Sequence, residues 1–367
     1  MSEWKKTKLE EVLSFGNGNV KPKIEGTIPI YGGNGILGFG NEFNYNGETI
    51  IIGRVGAYCG SVYFENKPIW ISDNALSAKP KGENNAKFFY YFLKHINLNQ
   101  WAGGSSHPLV TQSLLNSLEF SICINTKTQT AIAAILSSLD DKIDLLHRQN
   151  ATLEKMAETL FRKCFIEDAK EEWKSGRVGD LIRILSGFAF KSSSFVESGK
   201  YRLITIKGVQ DGYLELTNSN RIDELPEQMP EFCKLQIGDI LLSLTGNVGR
   251  CCLVDTTYLL LNQRVAKLHP IKERDKAFTY FFFRQPKIKQ LLEDMAKGTA
   301  QANLSPIETS NMELKIPDDY TLNEFSSLVT PWLEKLIFNK KSIQTLTKIR
   351  DSLLPKLMSG EVTVEMP

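Results

Sequence analysis

The sequence predicts a mixed α/β (α+β) chain: two similar globular modules, each followed by a long helix. The two helices are expected to pair as an antiparallel coiled coil under a pseudo-two-fold. Three observations carry this: an internal repeat along the whole chain, two tracts with a heptad apolar seam, and stretches rich in Gly, Asn and β-branched residues before each tract. At 367 residues the chain exceeds one ordinary core. Its 42% hydrophobic and 23% charged residues exclude disordered and collagen-like classes. The expected boundaries are 1–125 and 173–318 for the modules, and 126–168 and 319–359 for the helices.

The elements repeat in one order. Glu3-Trp4-Lys5 returns as Glu172-Trp173-Lys174, each before a short apolar segment, Leu9 to Leu13 and Val178 to Ile182. The strand-like Glu48 to Gly56 returns as Asp239 to Gly249. Phe88-Phe89-Tyr90-Tyr91-Phe92-Leu93 returns as Phe278-Thr279-Tyr280-Phe281-Phe282-Phe283. A Gly-led polar loop, Gly104 to Thr111, returns as Gly298 to Ser305, and each is expected to run straight into a short apolar strand. Short strands joined by polar turns suit this composition.

In the helical tracts, Ile132, Leu136, Leu139, Ile143, Leu146, Asn150, Leu153, Ala157 and Leu160 follow a 4-3 spacing. So do Phe325, Val329, Trp332, Leu336, Asn339, Ile343, Leu346, Arg350, Leu353 and Leu357. Two amphipathic helices, each packed on its own module, would be the simpler alternative; strict 3.5 spacing argues against it. The seams match at a constant offset of 193. Opposing Asn150 with Asn339 in antiparallel sense sets Leu146 against Ile343, Leu153 against Leu336 and Leu136 against Leu353, and small Ala157 against large Trp332. A buried Asn pair fixes register, because any slip leaves an amide facing leucine. The alternative has each Asn alone, facing solvent or a partner. Arg350 opposite Leu139 would have to snorkel outward, and Pro331 and Pro355 should each start, kink or end a helix.

Several functions are excluded. No apolar run approaches the ~20 residues of a membrane span, and the charged N-terminus lacks a secretory pattern. Six scattered cysteines read as buried thiols in a reducing cytoplasm, and His95, His107, His147 and His269 lack the spacing of a metal site. Gly33-Asn34-Gly35-Ile36-Leu37-Gly38 fits a dinucleotide pattern, yet no helix follows to face a pyrophosphate. There is no phosphate-binding G-x-x-x-x-G-K-[ST], no G-x-S-x-G elbow, no Asn-Pro-Pro-aromatic motif and no nuclease carboxylate cluster at Pro317-Asp318. No catalytic or metal site is credible.

Hydrogen-bonding groups lie instead on the loops after the buried strands and on the Gly-led loops expected at the ends of the helical Phe/Tyr segments. In the first module these are Arg54, Tyr58, Ser105, Ser106 and His107; in the second, Thr245, Asn247, Arg250, Thr299, Gln301 and Asn303. Arg, Gln and Asn read base edges bidentately, while Gly, Ser and Thr let a backbone approach phosphate. Solvent-facing turns are the plainer reading of any single residue.

Three segments give the chain a family likeness. They are Ile28-Pro29-Ile30-Tyr31-Gly32-Gly33-Asn34-Gly35-Ile36-Leu37-Gly38, Leu160-Phe161-Arg162-Lys163-Cys164-Phe165, and Leu353-Leu354-Pro355-Lys356-Leu357-Met358-Ser359-Gly360-Glu361. Together with the module–helix order they make the chain resemble the specificity subunits of type I restriction–modification systems. The resemblance implies two target-recognition domains, each reading half of a split, asymmetric DNA target. It implies helices that serve as spacer and as docking surface for two methylation subunits, with restriction subunits in the full complex. AdoMet, ATP and magnesium would sit on those partners, leaving this chain without a cofactor, a membrane role or catalysis. A helix of ~40 residues is about 60 Å long, enough to span a turn of duplex, about 34 Å. A coiled-coil scaffold, or a free-standing DNA-modifying enzyme with an unrecognised site, are the competing readings. The net charge of +2 adds that the chain alone should bind DNA weakly.

Overall fold

The computed structural model describes residues 3–104, 108–297 and 303–364. It divides into two compact units, 1–143 with 345–367, and 144–344. The first holds strands β1 (Trp4–Lys8), β2 (Leu13–Asn17), β3 (Ile28–Gly32), β4 (Gly35–Gly40), β5 (Thr49–Gly53), β6 (Val62–Glu65), β7 (Trp70–Ile71), β8 (Ala75–Pro80) and β9 (Glu119–Cys123). The second holds β10 (Lys174–Arg177), β11 (Ile182–Ser186), β12 (Tyr201–Ile204), β13 (Arg221–Ile222), β14 (Lys234–Leu235), β15 (Ile240–Ser243), β16 (Cys251–Leu253), β17 (Leu259–Leu261), β18 (Val265–Pro270) and β19 (Glu313–Ile316).

Each unit has a four-stranded sheet of one topology, β2-β8-β5-β6 and β11-β18-β15-β16. A second small sheet stands behind it, β4-β3-β7 or β13-β12-β17-β14, and the outer strands pair as β1-β9 and β10-β19. The near-continuous apolar runs of β5 and β15 follow from this layering, since both faces of the strand are covered. Ile50 and Ile52 pack with the aromatic helix Ala86–His95, while Ile51 packs with Tyr31, Ile69 and Ile71 of the small-sheet side. In the second unit Ile240 and Leu242 face the helix Lys276–Phe283, and Leu241 faces Leu203 and Leu260. The G-x-G-x-x-G segment is the hairpin joining β3 to β4.

The central helix spans Thr126–Arg162 and the C-terminal helix Asp319–Ser359. Asn125 caps the first, its Oδ1 accepting from Lys127 N at 3.0 Å; Asp318, 193 residues on, caps the second, its Oδ1 accepting from Thr321 N at 2.8 Å. Within unit 2 the two helix segments run antiparallel: Asn339 Nδ2 donates to Asn150 Oδ1 at 2.9 Å, and Phe161 meets Phe325 further along. Leu153, Leu336, Ala157 and Trp332 share that unit's core. Within unit 1, Leu136 and Leu353 share a core with Leu357 and Met358.

Pro331 and Pro355 both lie inside the C-terminal helix; both are exposed, as are Ser327 and Asp351, whose carbonyls lose a partner, so water can take them. Three expectations need correction. The central helix stops at Arg162, and Lys163–Glu167 forms a wider π turn. Arg350 does not snorkel away: its Nη1 donates to Asp140 at 2.7 Å, a carboxylate that also accepts from Tyr91 Oη at 2.7 Å. Short helices, Gln112–Ser117 and Pro306–Ser310, stand between each Gly-led loop and its strand, capped by Thr111 and Ser305. Ser305-Pro306-Ile307-Glu308 carried the start signal of cap, Pro and acidic third residue. No helix among the described residues is long and apolar enough to cross a membrane.

Candidate nucleic-acid interface

The loops singled out in the sequence leave the central strand of each sheet, and the backbone explains their shape. After β5 the chain turns back through Gly56 (φ 79°) and Gly60 (φ 83°), so that Gly60 N donates to Gly53 O and Gly53 N to Ser61 O, both at 2.8 Å. After β15 it does the same through Gly246 (φ 72°) and Gly249 (φ 80°), closing Gly249 N onto Ser243 O at 3.1 Å. Positive φ at these points favours glycine. One buried side chain plugs each loop, Cys59 in the first and Val248 in the second.

The second set of loops lies against the first. Val110 N donates to Arg54 O at 3.0 Å, and Val55 and Gly103 both bridge to Leu109. The equivalent bond joins Leu304 N to Leu244 O at 2.8 Å, and Thr245 bridges to Asn303. Each unit thus brings its two loop sets together in one backbone frame, although 56 residues of chain separate Arg54 from Val110 and 60 separate Leu244 from Leu304.

The side chains on that frame differ. Tyr58 is 52% exposed, and Arg54 is half-buried, with a buried Nε that has no partner among the described residues. In unit 2, Asn247 and Asn303 are exposed and Thr245 is half-buried. Arg250 is turned inward: its guanidinium is bonded to Gln210 Oε1 and faces the Asn247 amide. Beside it a cleft of about 330 Å³ runs between Asn247 and Lys297. Lys289 at its rim is paired with Asp211. Ser105, Ser106, His107, Thr299 and Gln301 lie outside the described residues.

The loop segments do not adjoin the aromatic helices as the sequence suggested. A 3₁₀ turn, Leu98–Trp101, intervenes in unit 1 and a further helix, Pro286–Lys297, in unit 2. Sequence reasoning also passed over the polar turns before β8 and β18, Ser72–Asn74 and Asn262–Arg264. Their signal was available as a polar triplet between matched apolar strands, of which the last two residues, Asp73-Asn74 and Gln263-Arg264, are exposed. The Arg284 cluster was missed as well. Arg284 Nη1 donates to Tyr280 Oη at 2.8 Å, and the guanidinium pairs with Glu154 at 3.8 Å and Glu158 at 3.3 Å on the central helix. No group of His, Cys, Asp and Glu suited to a metal occurs among the described residues. Burial pushes the Cys251 thiol up to about 12 and raises that of Cys252 well above its usual range, away from reactive thiolates.

Comparison with known proteins adds three findings. The sequence model of the type I restriction modification DNA specificity domain matches residues 1–155 and again 170–348. The chain is 28% identical over 331 residues to the type I restriction enzyme MjaIX specificity subunit of Methanocaldococcus jannaschii, covering 83% of this chain and 76% of that one. It is 23% identical over 328 residues to the HindI specificity subunit of Haemophilus influenzae, covering 70% and 71%. In fold it is similar to the crystal structure of a type I restriction–modification S subunit from M. genitalium, with a TM-score of 0.72 at 20% identity over 99% of this chain and 97% of that one.

Proposed function

The chain belongs to the type I restriction–modification DNA specificity family, and on that footing we propose that it reads a bipartite, asymmetric duplex, one half with each module. It is a specificity subunit, supplying recognition and not catalysis. One observation supports the split target above others: both units hold the same loop frame, closed by the same backbone bond at Arg54 and Leu244, yet dress it with different side chains. A shared frame sets how a module meets the duplex; different side chains make the two half-sites differ. Arg54 and Tyr58 contact one half, Thr245, Asn247 and Asn303 the other.

Two methylation subunits dock along the long helices, which also serve as spacer. Their contact in unit 2 is supported by an apolar groove of about 650 Å³ lined by Met156, Leu160, Leu328 and Trp332. Restriction subunits join the same cytoplasmic complex, and AdoMet, ATP and magnesium bind to the partners. The test is methylome sequencing of cells carrying the methylation subunit with and without this chain. Adenine methylation at one split, non-palindromic sequence, present only with the chain, is the expected result. Methylation at all sequences alike, or without the chain, would leave a scaffold reading; DNA cleavage or methyl transfer by this chain alone would overturn the assignment.

A further inference from the structure

In each unit a third connection stands beside the two loops. Gly53 lies opposite Ala75 in the β5–β8 register, and Ser243 opposite Val265 in β15–β18. The loop leaving the central strand and the turn entering its neighbour therefore emerge at the same end of the sheet. Main-chain bonds lock them side by side: Arg54 N donates to Asn74 O at 3.0 Å and Leu244 N to Arg264 O at 3.0 Å. The residue after the central strand so uses its N–H on the turn and its C=O on the second loop, as the same two bonds in both units show.

These bonds engage the turn through its backbone and leave its side chains unspent. Gln263 and Arg264 are exposed, and among the described residues neither makes a side-chain hydrogen bond or ion pair. The neighbouring cations are otherwise engaged: Arg250 with Gln210, Lys289 with Asp211, Lys267 with Asp239. In unit 1 the matching positions carry Asp73 and Asn74, both exposed. An unpaired guanidinium offers a rigid two-pronged donor that fits guanine O6 and N7, whereas a carboxylate accepts from cytosine N4 and an Asn amide fits adenine.

We propose that the turn before β18 is a base-reading element of the second module, with Arg264 reading a guanine, and that the turn before β8 is its counterpart in the first, reading through Asp73 and Asn74. This rests on the recognition function proposed above and names residues for it. Arg250, held within the protein, then supports the loop and does not itself read bases.

The experiment uses the full chain in complex with its methylation subunits. The target is first taken from the wild-type methylation pattern, and rates are then measured on duplexes varied at one base pair at a time. Arg264→Ala should lower discrimination at a single G·C pair of one half-site about 10- to 100-fold. Every other position, and the whole other half-site, should be unchanged. Arg264→Lys, which keeps the charge but loses the two-pronged fork, should retain only part of the guanine preference, and Arg264→Gln should move it toward adenine. An equal rate loss on every duplex would mark a phosphate contact or a damaged loop and overturn the proposal, as would an unchanged profile. A wild-type complex that does not discriminate among the duplexes would instead overturn the recognition function itself.

Discussion

The two units seat equivalent helix ends in different chemistry. At the offset of 193, Phe161 of the central helix and Phe165 of the π turn that follows it correspond to Leu354 and Met358 of the C-terminal helix. In unit 2 Phe165 meets Phe278 at 4.9 Å and Phe325 at 5.0 Å between ring centroids, with Phe161 5.6 Å from Phe278. In unit 1 Leu353, Leu354, Leu357 and Met358 fill the same role without rings. The electrostatic ties differ as well. In unit 1 an arginine on a long helix, Arg350, pairs with Asp140, which accepts from Tyr91 of the module. In unit 2 the arginine is on the module, Arg284, and the carboxylates are on the helix. Backbone frame and cap positions persist through the repeat while side-chain solutions diverge. The scaffold thus tolerates exchange of chemistry wherever volume and pairing are kept.

The largest test of that contrast is Phe161→Ala, which removes a ring from the aromatic cluster and should cost unit 2 about 3–5 kcal/mol. Hydrogen exchange read by mass spectrometry should show the loss in 144–344 and little in the first module; Phe161→Leu, the unit 1 solution, should cost far less. If the leucine variant is as damaged as the alanine one, the ring contacts matter beyond their volume.

Next comes Arg284→Met, which leaves Glu154 and Glu158 without their cation. The pair is partly solvated, so about 2–3 kcal/mol is expected by chemical denaturation. Arg350→Met should cost less, about 1 kcal/mol, since one of its partners, Asp351, is exposed. Burial and the Asp140 carboxylate hold the Tyr91 phenol well above its usual range, so that bond persists across neutral pH.

Asn339→Leu should destabilise unit 2 by about 1–3 kcal/mol, because Asn150 keeps a buried amide and loses its partner. The double variant Asn150→Leu with Asn339→Leu should recover that stability, and the single variants should not; Asn339 Oδ1 is already buried without a partner among the described residues. Failure of the double variant to recover would argue that the pair supports packing rather than register.

The smallest effect concerns the caps. Lys170, followed by Thr321 N, holds the Asp318 carboxyl well below the usual carboxylate range. Its contribution is complete above the unfolded value of about 3.9 and is lost as pH falls toward the folded value. The amide of Thr321 should therefore titrate in acid by NMR, whereas Lys127, capped by neutral Asn125, should not. Asp318→Asn should abolish the difference.

Periodic and repeated features were legible because they are local. The heptad seams and the buried strands at Ile50–Ile52 and Ile240–Leu242 declare themselves through spacing alone. Even the Asn150–Asn339 contact could be read, since one register satisfies both seams at once. Pairing of polar side chains was not legible. Whether Arg250 reaches Gln210, whether Arg350 reaches Asp140, and whether Arg284 finds Glu158 depend on partners 40, 210 and 126 residues away. The sequence by itself determined two repeated modules, two long helices and the loops that end the central strands. Tertiary structure alone decided which loops lie together and which polar side chains remain unpaired, because a hydrogen bond acts over about 3 Å and the fold brings those atoms that close.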